Sequence, residues 1–182
     1  MRARFLILFI VIVGTLLAIS LFFTSKKEAP RSEKTTKKAS LSLLVPGLTN
    51  RDDVYKKTGT PFSVVTKDDR TYLYYETKNS SFRDLIVLEN GVELYAVENI
   101  FEDSELSLTS VLRSYGNYGT YYSEGPFVWY VFFEKGVAVE TDEESILKVL
   151  YFIPQKESEF LANLAPELNL SKSSPTPEVL RP

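Results

Sequence analysis

Apolar residues follow three patterns along this chain. Across residues 5–23 they are nearly continuous (FLILFIVIVGTLLAISLFF), with Gly14, Thr15 and Ser20 as mild exceptions. Between about residues 70 and 153 they form short runs rich in Tyr, Val, Ile, Leu and Phe, bounded by Gly, Asn and Asp, which is the pattern of strands and tight turns. Around 51–58, 107–115 and 155–164 they are sparse and spaced for helices, as with Phe160, Leu161 and Leu164.

The strand-rich part is organised around residues 82–94, FRDLIVLENGVEL. Two strand-forming runs flank Asn90-Gly91, a pair that tolerates the positive φ angles of a type I′ hairpin turn. The phrase returns without a gap at 127–139, FVWYVFFEKGVAV, matching Phe82 with Phe127, Glu89 with Glu134 and Gly91 with Gly136. Ahead of each hairpin stands a short helical stretch with a glycine stop. In the first, Thr49 or Asn50 is the cap, Asp52 and Asp53 occupy the first turn, and Gly59 followed by Pro61 ends the helix. In the second, a helix beginning near Ser107 carries Val111 and Leu112 and stops at Gly116. Strands are expected at 71–77, 82–89, 92–99, 127–134, 137–141 and 146–153, with a tyrosine-rich loop between Gly116 and Phe127 and a terminal helix over 155–164.

The expected fold is therefore α+β: two helix-plus-β-hairpin units sharing an antiparallel sheet, preceded by one N-terminal transmembrane helix. The boundaries are an anchor over 1–24, a charged linker over 25–42, a first unit over 43–103, a second unit with the C-terminal helix over 104–164, and a disordered tail over 165–182. The 19 apolar residues of 5–23 would span roughly 28 Å as a helix, close to a bilayer core. The run is longer than a usual cleavable signal and the Ala18-Ile19-Ser20 site lies inside it, which favours an uncleaved signal-anchor. Arg2 and Arg4 before the span suggest an N-terminus inside and a domain outside, whereas the six Lys/Arg of 26–38 argue the reverse by a literal count. Dilution of those six by Glu28 and Glu33 leads to the extracytoplasmic reading.

Charge and composition narrow the function. Residues 1–40 hold eight Lys/Arg and two Asp/Glu (net +6), and 41–182 hold 13 and 22 (net −9). An acidic folded part lacks the basic footprint that nucleic acid requires. The chain has no Cys and no His, which removes disulfides, thiol nucleophiles, imidazole bases and the usual zinc ligands. No GxxxxGK[ST], GxGxxG or GxSxG pattern occurs. The acidic clusters Asp52/Asp53, Asp68/Asp69 and Asp142/Glu143/Glu144 sit at helix starts and turns, where acids serve capping and turn chemistry, and none has EF-hand spacing. No cofactor, metal or catalytic residue is expected.

The sequence Gly47-Leu48-Thr49, then Val54, then Gly59-Thr60-Pro61, then an aromatic strand and an Asn-Gly hairpin, resembles one repeat of the SmpA/OmlA (BamE-like) fold. The doubled arrangement over roughly 44–153 resembles tandem repeats of the β-lactamase-inhibitor-protein-like (BLIP-like) kind, with helices packed on one antiparallel sheet. The resemblance implies a non-enzymatic envelope protein that binds other proteins through the sheet or a loop beside it. Here an apolar span stands where the outer-membrane members have a lipid-anchored cysteine.

Two places in the sequence fit partner binding. Strict alternation across Asn90-Gly91 puts Leu85, Val87, Val92, Leu94 and Ala96 on one face, and leaves Phe82, Asp84, Ile86, Leu88, Glu93, Tyr95 and Val97 on the other. In the second hairpin that other face carries Phe127, Trp129, Val131 and Phe133. It is either an aromatic binding surface or the seat of the C-terminal helix. The second place is the loop with Tyr115, Tyr118, Tyr121 and Tyr122, whose rings offer adaptable contact area or else pack on the sheet edge. The expected partners are the lipid bilayer, through residues 5–23, and an unidentified envelope protein. Two alternatives to a binding or scaffolding role are an extracytoplasmic ligand sensor and a carboxylate-based hydrolase.

Overall fold

The computed structural model describes residues 40–79, 81–100, 106–123, 127–142 and 145–173. The expected membrane span, its orientation and most of the charged linker lie outside those residues. Among the described residues no helix is long and apolar enough to cross a membrane.

The chain opens with a 3-10 turn, Leu41–Leu43, and helix α1, Arg51–Thr58. Four strands follow: β1 Ser63–Lys67, β2 Arg70–Glu76, β3 Arg83–Glu89 and β4 Val92–Asn99. Helix α2, Leu108–Tyr115, precedes four more: β5 Gly119–Tyr122, β6 Val128–Phe132, β7 Val137–Asp142 and β8 Ser145–Phe152. Helix α3, Glu157–Asn163, comes last. The eight strands form one antiparallel sheet in the order β1-β2-β3-β4-β8-β7-β6-β5. Each set of four is a meander, and the two meet at the β4–β8 seam, where Tyr95 faces Phe152 and Asn99 faces Lys148.

Local chemistry explains the elements. The Asp53 amide donates to the Asn50 side chain (3.0 Å), capping α1, and Gly59 stops the helix at φ +83°. Ser107 caps α2 in the same way, and Gly116 ends it. Asn90 and Gly91 both have positive φ (51° and 80°), as a type I′ turn requires. The second hairpin is built differently. Strand β6 ends at Phe132, and a 3-10 turn, Phe133–Lys135, leads into Gly136 at φ +64°. A Cβ on Gly136 would collide with the Phe152 carbonyl oxygen, so glycine is required there for space as well as conformation.

The sheet is covered on both faces. Helices α1 and α2 lie on one, where Val54, Leu41 and Leu44 pack with Leu73, Ile86, Leu88 and Ala96, and Val111 packs with Phe132, Val139 and Val149. Helix α3 lies on the other, where Phe160, Leu164 and Ala165 pack with Val87, Tyr95, Trp129, Val131, Leu150 and Phe152.

Four expectations change. Strand β1 falls where none is expected: it is a short edge strand, largely exposed along its length, so no alternation marks it. Strand β5 falls inside the expected tyrosine loop, so each helix is followed by four strands, and the repeated phrase aligns β3–β4 with β6–β7, one strand out of step. Alternation fails in β4, where the register shifts between Val87 and Leu88: Tyr95 and Val97 pair with Val87 and Leu85, Ala96 pairs with Ile86, and Glu93 pairs with Leu88. The extra residue of a bulge turns every later side chain to the opposite face. Finally, the ends of the domain extend further than expected. Leu41 is buried at the head. At the tail, Ala165 is buried, Leu168 and Leu170 pack on the core, and Ser171 exchanges two backbone hydrogen bonds with Tyr122. Residues 174–182 lie outside the described set.

Candidate partner-binding site

The six aromatic candidates separate into distinct settings. Trp129 and Tyr121 are core residues under α3. The Trp129 indole N–H donates to Glu140 (3.1 Å) and the Tyr121 hydroxyl donates to Glu157 (2.7 Å). Tyr122 is half-buried at the β5 edge and Phe127 is half-buried just ahead of β6. Tyr115 and Tyr118 remain 38 % and 46 % exposed. The face bearing Trp129 is thus covered by the C-terminal helix and the residues after it, and of the six candidates only Tyr115 and Tyr118, at the end of α2, are exposed.

Tyr115 is the last residue of α2, and the Gly116 turn directs Asn117 and Tyr118 back over the sheet. Tyr115 packs on Phe132 (centroids 5.1 Å apart), and Tyr118 sits edge-on to Tyr130 (5.2 Å) and Phe132 (5.8 Å). Gly119 has no room for a side chain, since a Cβ would stand 2.9 Å from the Phe133 and Tyr121 rings. Together with Phe132, Phe133 and the segment 154–159, these residues line a groove of about 900 Å³ at one end of β5–β8. Its floor is aromatic, and its rim carries Glu134, Lys135, Lys156, Glu157 and Glu159.

Charge at the rim is arranged. Lys172 (2.7 Å) and the Tyr121 hydroxyl hold the Glu157 carboxylate below its ordinary pKa. Burial, helped by the same carboxylate, pushes the Tyr121 phenol well above its ordinary value, so Tyr121 stays a neutral donor. This arrangement can seat an extended apolar or aromatic segment between rings and offer it hydrogen-bond partners along the edge. It contains no nucleophile paired with a base.

Asp52 and Asp53 sit in the first turn of α1 and Asp68 and Asp69 in the β1–β2 turn, while Glu143 and Glu144 lie outside the described residues. Among the described residues no group of three or more acids could hold a metal ion. Sequence reasoning missed three buried glutamates. Glu98 accepts from the Leu41 amide (3.2 Å) and the Tyr151 hydroxyl (3.2 Å). Glu140 meets Lys148 (2.5 Å) and the Trp129 indole. Glu93 is 1 % exposed, and neither of its oxygens has a partner. The neighbouring Thr49 hydroxyl donates its proton to the Val45 carbonyl. Burial raises the Glu93 pKa to about 7. The available signal was acids on alternating apolar strands, and alternation places Glu93 with Ile86 and Leu88, the face it takes. The groove's far wall, 154–159, was also missed, because nothing in its sequence ties it to α2.

Comparison of the chain with family models, curated proteins and solved structures gave no match.

Proposed function

We infer that this chain is a membrane-anchored cell-envelope protein whose domain works by binding another envelope protein, without catalysis. In this reading residues 5–23 hold it in the bilayer as a single-pass signal-anchor. The domain stands outside the cytoplasm as two BLIP-like units sharing the sheet, each a helix followed by four strands. The observation that carries the binding role is the pair of half-exposed rings, Tyr115 and Tyr118, over an aromatic groove with a charged rim. Amphipathic rings of this kind supply much of the energy at protein interfaces. The groove volume lies within the range of small-ligand clefts, which supports an extracytoplasmic sensor as the second reading.

The test is a photo-crosslinking residue placed at Tyr118 in the intact cell, with the same residue at Thr66 on β1 as reference. One discrete adduct to an envelope protein at position 118, absent at 66, is the expected result. Identical patterns at both positions would dispose of the groove as the binding surface. Protease treatment of intact spheroplasts should digest the domain; protection would place it on the cytoplasmic side.

A further inference from the structure

The groove has a candidate occupant within this chain. After α3 the backbone turns back and Ser171 forms an antiparallel bridge with Tyr122, on the outer edge of β5. A chain antiparallel to β5 at Tyr122 is heading for Gly119, the end of the strand that lines the groove. The next residue, Lys172, is already tied to Glu157 on the groove rim (2.7 Å). The nine residues that follow are Ser-Pro-Thr-Pro-Glu-Val-Leu-Arg-Pro, 174–182. Fully extended they reach roughly 30 Å, ample for the groove. Pro175, Pro177 and Pro182 cannot donate to a β-ladder, so continued pairing along β5 is disfavoured and an extended polyproline-like course is favoured. Such segments are pre-ordered and dock on grooves walled by aromatic rings. Tyr115, Tyr118 and Phe132 provide that wall. The rim carries both signs of charge, as the segment does with Glu178 and Arg181.

We propose that residues 174–182 dock in the Tyr115–Tyr118 groove of the same molecule and compete there with the outside partner. The proposal rests on the groove being the binding surface. It makes the tail a built-in competitor: a partner binds only as tightly as its own contacts exceed those of the tail.

The absence of cysteine allows a direct test in the full chain held in detergent. Asn117→Cys with Thr176→Cys places one thiol in the groove and one on the tail. Thr109→Cys with Thr176→Cys moves the first thiol to an exposed position on α2 outside the groove. Under mild oxidation the 117–176 pair should close an intramolecular disulfide about tenfold faster than the 109–176 pair, reflecting a raised local concentration. Adding Tyr118→Ala, or replacing Pro175 and Pro177 by Gly, should erase the difference. Equal rates for the two pairs overturn the proposal. Disulfide-linked dimers without the intramolecular product overturn it in favour of a second copy as occupant. Neither outcome depends on capturing a partner, so the binding role at Tyr118 stands or falls separately.

Discussion

Both halves of the sheet bury glutamates, and two of them, Glu140 and Glu93, are treated in opposite ways. In the β5–β8 half, Glu140 lies opposite Lys148 on β8 and Trp129 on β6, and both neighbours donate to it. In the β1–β4 half, Glu93 lies just before the β4 bulge, opposite Leu88, and no donor reaches it. Its backbone is fully used, accepting from Gly47 (2.7 Å) and donating to Thr49 (2.8 Å). The difference teaches that a buried acid is decided by its cross-strand neighbours. Both glutamates stand beside a register shift, Glu140 at the one between Glu140 and Thr141 and Glu93 at the one opposite Val87 and Leu88. Lys148 and Trp129 flank Glu140, whereas Leu88 and the backbone of residues 47–49 flank Glu93.

The turns of the two halves provide the largest contrast. Gly136→Ala should destabilise by about 3 kcal/mol, since it adds a collision with the Phe152 carbonyl to an unfavourable φ. Gly91→Ala, with open space around the new methyl, should cost only about 1 kcal/mol. Chemical denaturation of both variants would measure the gap, and equal losses would remove steric closure as the cause.

Glu140→Ala should cost about 2–3 kcal/mol by leaving the Lys148 cation and the Trp129 N–H without their carboxylate. Trp129 is the only tryptophan, so its emission should shift in the variant. An unchanged spectrum and stability would show that the pair matters little.

Glu93 should behave in the opposite sense. Its pKa is about 7 in the fold against an ordinary 4.5, so between those values the folded state holds the extra proton. Stability is then greatest below about pH 4.5 and falls as pH rises from there to about 7. Glu93→Gln should leave stability at pH 4 almost unchanged and raise it by about 3 kcal/mol at pH 8.5. Parallel pH profiles for the variant and the parent would mean that Glu93 keeps a partner when charged. Gly59→Val should lose more than about 1 kcal/mol, because a β-branched side chain is forced into a positive φ at the helix end although no neighbour crowds it.

Much of the fold can be read from the residues. The Asn50 cap, the Gly59 and Gly116 stops, the Asn90-Gly91 turn and six of the eight strands follow from local chemistry. Strand β1 does not, because an exposed edge strand has no buried face to impose a pattern. Strand β5 does not, because Gly119 and the tyrosines resemble a loop until Phe133 and Phe160 are brought against Tyr121. The β4 bulge has no signal in VELYAVEN, and it decides which face Tyr95, Ala96 and Val97 take. The site was half legible. Tyr115 and Tyr118 stand out by type and spacing, whereas Trp129, the most conspicuous residue by composition, is committed to the core. The segment 154–159 becomes part of the site only through the strand order.

That order also sets a timetable. Strands β1 to β4 can form their meander from neighbouring residues, but β4 must wait for β8, the last strand to leave the ribosome, before its second edge is paired. A nascent chain therefore carries an unprotected β4 edge while the residues from 100 to 152 are made. Residues 47–51 shield only the first few positions of that edge, from Gly91 to Glu93. The slow step of maturation should be closure of the central seam, and chains cut short before Ser145 should aggregate through β4.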